Sequence, residues 1–142
     1  NDFQVNRTAR VAGITPGDTS RYWRLVVAGV TTVSLSRDEL LALPQHTAEL
    51  PIACVEGWST VQTWTGVRLR DLLAMTGVVD LDSAVVTSLE KRGTFSLAVL
   101  NRGQVTASDS LLALKVNGVA LSLDHGFPAR LIVPAVPGVH NT

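Results

Sequence analysis

The chain's 142 residues balance 12 Lys and Arg against 12 Asp and Glu, so it lacks the basic excess that marks a nucleic-acid binder. At 46% hydrophobic and 17% charged it suits one packed core and is too apolar to stay disordered. No apolar stretch approaches the roughly 20 residues a membrane-spanning helix needs, and the polar opening, NDFQVNRTAR, shows no signal-peptide pattern.

The elements follow in chain order. RYWRLVVAGVTTVSLS (21–36) is rich in Val, Thr and aromatics with a Gly at its middle, and predicts two strands joined by a turn. SRDELLALP (36–44) predicts a short helix. Ser36 and Glu39 make a capping box, Leu40, Leu41 and Leu43 an apolar face, and Pro44 the stop. LPIACV predicts a strand running into Cys54. GVRLRDLLAMTG (66–77) predicts a second helix, with Leu69, Leu72 and Leu73 at helical spacing and Gly77 as its end. AVVTSL (84–89) and TFSLAVL (94–100) predict strands around the charged turn Glu90-Lys91-Arg92-Gly93. LLALKVNGVALSL (111–123) is the clearest hairpin, with Asn117-Gly118 at its turn. ARLIVPA (129–135) predicts a last strand. The class is α+β, mainly β, in a single domain spanning 1–142.

Cys54 is the only cysteine. A lone cysteine is most simply a small buried hydrophobe. It also suits a thiolate nucleophile, paired with one of the three histidines, His46, His125 and His140, or a soft-metal ligand. A zinc site of protein ligands is not supported, because one Cys and three scattered His have no ligand spacing. In DHGFPARLIVP (124–134), His125 and Arg130 flank a Gly-Phe-Pro turn. Such a pair reads either as a solvated turn or as a clamp for an oxyanion, since Arg offers a planar fork of donors. Asn6, Arg7 and Thr8 near one end, and His140, Asn141 and Thr142 at the other, add polar groups. Neither dinucleotide nor P-loop glycine motifs are present, and there is no Gly-x-Ser-x-Gly elbow.

Taken in order, LPIACVEGWSTVQTWTGVRLRDLL (50–73) and LLALKVNGVALSLDHGFPARLIVPAVPG (111–138) resemble the molybdopterin-binding domain of the sulfite oxidase family. The Cys-Val-Glu-Gly-Trp-Ser stretch is most similar to the bacterial branch that includes the periplasmic methionine sulfoxide reductase catalytic subunit. DFQVNRT, WRLVVAGV and LSRDELLALP fit the same order, so the resemblance covers nearly the whole chain.

The resemblance implies the sulfite-oxidase-type molybdopterin-binding fold and a molybdenum-molybdopterin cofactor, with Cys54 as the metal ligand and catalytic centre. It implies that Asn6, Arg7, Thr8, His125, Arg130, His140, Asn141 and Thr142 contact the pterin or its phosphate. It also implies two-electron oxygen-atom transfer on a small-molecule substrate, a sulfite-like anion or a sulfoxide, with a membrane-bound or haem electron-transfer partner. An extracytoplasmic or membrane-tethered location goes with that branch. The family pattern runs on with a Lys where this chain ends at Thr142, which implies a piece of a longer protein. Two other functions stay open on the residues alone: a β-rich binding domain that keeps the fold without metal, and a metal-free cysteine enzyme.

Overall fold

The structure, a computed structural model, describes residues 8–14, 23–53, 59–89, 95–121 and 128–134. Ten strands and three short helices lie within them. The first sheet contains β1 (Thr8–Ile14), β2 (Arg24–Ala28), β3 (Thr32–Ser36), β6 (Ser83–Leu89) and β7 (Phe95–Asn101), in the order β3-β2-β1-β6-β7. Its neighbours are antiparallel except β1 and β6, which run parallel. The second sheet contains β4 (His46–Ala53), β5 (Ser59–Arg68), β8 (Leu111–Val116) and β10 (Arg130–Ile132), in the order β10-β8-β5-β4. All its pairs are antiparallel, and β9 (Val119–Ala120) folds back on β8. The helices are α1 (Arg37–Ala42), α2 (Leu69–Ala74) and α3 (Arg102–Thr106).

The main core lies between the sheets. Ala9, Val11, Leu25, Val27, Ala84, Val86 and Leu100 of the first sheet cluster with Val67, Leu112, Leu114 and Leu131 of the second, and Leu40, Leu72 and Val105 bring in the helices. A smaller core forms on the opposite face of the second sheet from Ala48, Leu50, Trp64, Leu111, Ala113, Leu121 and Ile132. That explains LLAL in β8: a strand apolar on both faces must read as a continuous apolar run rather than an alternating one.

Most predicted elements are present. The Gly29 turn joins β2 to β3, and the capping box opens α1. At the Asn117-Gly118 turn both residues take the left-handed conformation, φ 51° and 85°, as a two-residue hairpin of this type requires. Asn117 further ties the turn to β5: its amide nitrogen donates to Gln62 at 2.6 Å, and its side-chain oxygen accepts from the Thr63 backbone at 3.0 Å.

Three readings are corrected. The segment 66–77 is not one helix, because Gly66–Arg68 finish β5 and only Leu69–Ala74 coil. β4 begins at His46, four residues before the predicted strand. β1, β5 and α3 had no counterpart in the sequence reading.

Candidate functional site

The second sheet gives one face a continuous character. Register places Arg130 opposite Ala113, Ala113 opposite Gly66, and Gly66 opposite His46. This row crosses all four strands, about 14 Å at the usual spacing between neighbours. The middle of the row is low, a methyl and a hydrogen. β8 carries an irregularity there, since Leu114 has no partner between Thr65–Lys115 and Gly66–Ala113. A Cβ on Gly66 would run into the backbone of Leu112 and Ala113. The bulge therefore closes only over glycine.

Two residues along β5 from Gly66, on the same face, stands Trp64. Among the described residues it is the largest fully buried side chain, 1% exposed. The Arg130 guanidinium carbon lies 5.2 Å from its ring centroid, within cation–π range. Ala113, the β8 residue opposite Arg130, is small. The guanidinium is half-buried, and loss of water pushes its pKa below the ordinary arginine value. It remains a cation, because arginine does not give up its proton in proteins. The indole N–H of Trp64 is buried and has no hydrogen-bond partner among the described residues.

At the other end of the row His46 is fully engaged. Its Nδ1 lies 2.8 Å from the Arg68 guanidinium, and its Nε2 lies 2.8 Å from Asp109 Oδ1. Arginine only donates, so Nδ1 accepts and Nε2–H donates to the carboxylate. Arg68 also donates to the Ser108 carbonyl at 3.1 Å. The three side chains fasten the start of β4 and the end of β5 to the turn before β8. His46 is thereby committed to this linkage. It stands at the opposite end of β4 from Ala53, about 23 Å away at the rise of an extended strand.

Of the residues singled out from the sequence, Arg130 is placed with its side chain, and Thr8 as the first residue of β1, opposite Ser83. The two stand in different sheets. Cys54 follows directly on Ala53, the last residue of β4, which pairs with Ser59 of β5. Cys54, Asn6, Arg7, His125, His140, Asn141 and Thr142 themselves lie outside the described residues. Trp64 packs in the smaller core and is also the seat of Arg130.

Comparison with known proteins decides the family. The oxidoreductase molybdopterin binding domain matches residues 12–142. The chain belongs to this family. As an oxidoreductase molybdopterin-binding domain it has similar relatives in several organisms. It is 34% identical to "Uncharacterized oxidoreductase YuiH" of Bacillus subtilis, covering 79% of this chain and 57% of that protein. It is 32% identical to mitochondrial sulfite oxidase of Mus musculus, over 84% of this chain and 27% of the oxidase. It is 31% identical to "Putative protein-methionine-sulfoxide reductase subunit YedZ1" of Azospira oryzae, over 84% of this chain and 45% of that one. The chain thus spans little more than half of the longest-covered of these relatives and about a quarter of the oxidase. Among solved structures, the sulfane dehydrogenase SoxCD from Paracoccus pantotrophus shares the fold, with a TM-score of 0.71 at 24% identity over 84% of this chain and 35% of that one.

Membership makes the domain an oxidoreductase module whose cofactor is molybdenum-molybdopterin. It does not favour a binding domain that has lost the metal. The described residues fit such a group at one point. A half-buried guanidinium on a mostly apolar face suits an anionic phosphate, for which a planar, bidentate donor is the usual partner.

Proposed function

We propose that the domain catalyses two-electron oxygen-atom transfer on a small sulfur oxyanion or a sulfoxide, with Arg130 clamping the anionic end of the pterin and Cys54 as the protein's thiolate to the metal. The observation that carries this is Arg130, a guanidinium held on a mostly apolar face in a chain of this family. When bound, the cofactor supplies the redox chemistry, and the protein supplies binding and orientation. Arg130 neutralises the phosphate and fixes how far the pterin enters. Cys54 is the one thiolate the sequence offers to a soft metal. His125, Asn6, Arg7, Thr8 and the 140–142 segment are proposed as further contacts, on the strength of the sequence motif.

The relatives point to sulfur substrates: one is named sulfite oxidase and another a subunit of a methionine-sulfoxide reductase. A separate electron carrier is part of the proposal, because oxygen-atom transfer leaves or consumes two electrons that the domain's own side chains cannot carry.

Molybdenum and pterin per chain test the reading, in protein made by a host that synthesises the cofactor. Wild type is expected to hold near one of each. Cys54→Ala is expected to lose the metal, and Arg130→Met to lose pterin and metal together. Stoichiometric cofactor in both variants would refute the assignment of these two residues.

A further inference from the structure

Trp64 occupies an odd position for a residue of packing alone. Its ring is almost wholly buried in the smaller core, yet its N–H has no partner among the described residues. Buried tryptophans usually give that N–H an acceptor, and an orphaned buried donor carries a desolvation cost. A leucine or phenylalanine would fill an apolar slot without that cost. What neither provides equally is the indole face, the strongest of the aromatic surfaces for a cation. Arg130 lies against that face at 5.2 Å.

The surrounding register makes the contact. Ala113 and Gly66 keep the row between Arg130 and β5 low, so the arginine can cross β8 and lie over a ring two strands away. A guanidinium held over a ring has fewer orientations open to its planar fork of N–H donors. The contact therefore narrows the directions in which the fork can grip an oxyanion. Partial burial of Arg130 strengthens the attraction, because a cation that has lost water gains more from the ring.

We infer that Trp64 is a positioning residue: its indole face holds the Arg130 guanidinium in the orientation that clamps the phosphate of the pterin. The inference rests on the proposed role of Arg130. Trp64 acts through Arg130 and does not itself touch the reacting atoms.

The test is the rate of cofactor release from the full-length holoprotein. It follows molybdenum by elemental analysis and pterin by the fluorescence of its oxidised form. The variants are Trp64→Phe, Trp64→Leu, Arg130→Met and the Trp64→Leu/Arg130→Met double. Arg130→Met is expected to release cofactor at least about tenfold faster. Trp64→Leu is expected to approach that rate, and Trp64→Phe, which keeps a weaker π face, to stay within about threefold of wild type. In the Arg130→Met background Trp64→Leu adds less than about twofold, because the pair acts as a unit.

Three results would overturn the inference alone, provided Arg130→Met itself is fast. They are a wild-type rate in Trp64→Leu, equal losses in Leu and Phe, and an undiminished effect of Leu in the Met background. A wild-type rate in Arg130→Met would remove the clamp and the positioning role together. Should the position 64 variants not fold, fluorinated tryptophan weakens the ring's attraction without changing its shape. Release is then expected to quicken about threefold with Arg130 present and not with Met there; no change in the Arg130 protein overturns the inference.

Discussion

Glycine serves two unrelated needs in this chain, and one substitution separates them. At Gly66 the backbone is not left-handed, so alanine is conformationally allowed there, but its Cβ would strike the Leu112–Ala113 backbone. Backbone cannot swing aside as a flexible side chain can, so β8 must move. Gly66→Ala is expected to cost about 2–3 kcal/mol, as overpacking does. It should also displace Ala113, and with it Arg130, which stands opposite. At Gly118 the reverse holds: φ is 85° and nothing lies within 4 Å of a built Cβ. Gly118→Ala pays only the left-handed strain, about 1 kcal/mol. Urea unfolding of the two variants checks the order, and cofactor content checks that only Gly66→Ala reaches the site.

The helices show how differently short elements are specified. α1 has six residues and is opened by its capping box: Ser36 Oγ accepts from Glu39 N–H at 3.1 Å, and Glu39 Oε1 accepts from Ser36 N–H at 2.9 Å. The bond from the Ser36 backbone, helped by the Ser36 side chain and by Arg24, holds the Glu39 carboxyl below its ordinary pKa. A depressed carboxyl pKa stabilises the fold above the unfolded-state pKa, and the contribution is lost as pH falls through the folded value. Ser36→Ala is expected to remove the reciprocal bond and about 1 kcal/mol of stability. The Ser36 backbone N–H stays in the variant, so Glu39 should move only part of the way toward its ordinary value, as NMR of the side-chain carboxyl would record; an unmoved titration would show that the Ser36 hydroxyl is not among the causes.

The same box made α1 legible in the sequence, and its absence hid the start of α2. Arg68 at the N-cap makes no side-chain cap bond, and Leu69 N–H is instead satisfied by the Ser110 carbonyl. That partner lies 41 positions along the chain, so the leucine spacing marked a helix while nothing local marked where it began. β5 escaped for another reason. Val61, Trp64 and Val67 recur at every third residue, which is not a strand period, because Val61 is exposed and the other two enter different cores. α3 has a capping box of Asn101 and Gln104 but buries only Val105, too little apolar pattern to be read. Of the proposed cofactor contacts, Arg130 is the one whose side chain is described, on Trp64. Its seat on Trp64 depends on the register of three strands and had no sequence signal.

At the scale of the molecule, β8 is the shared wall of two cores. Leu112 and Leu114 enter the core between the sheets, while Leu111 and Ala113 enter the smaller one. Neither core can open without withdrawing support from the same strand, so the two should melt together. The chain carries a reporter for each: Trp23 is buried in the larger core and Trp64 in the smaller. Leu114→Ala and Leu111→Ala, each fully buried in wild type, are expected to cost about 2–5 kcal/mol. Each should shift one common transition rather than its own core's alone. Urea titrations of Trp23→Phe/Trp58→Phe and Trp58→Phe/Trp64→Phe proteins, each left with one of the chain's three tryptophans, followed by fluorescence and far-ultraviolet circular dichroism, would show this as coincident curves. Loss of the Trp64 signal ahead of the dichroism would instead make the face that carries Arg130 a separately folding layer, and β8 would no longer explain how the site is held.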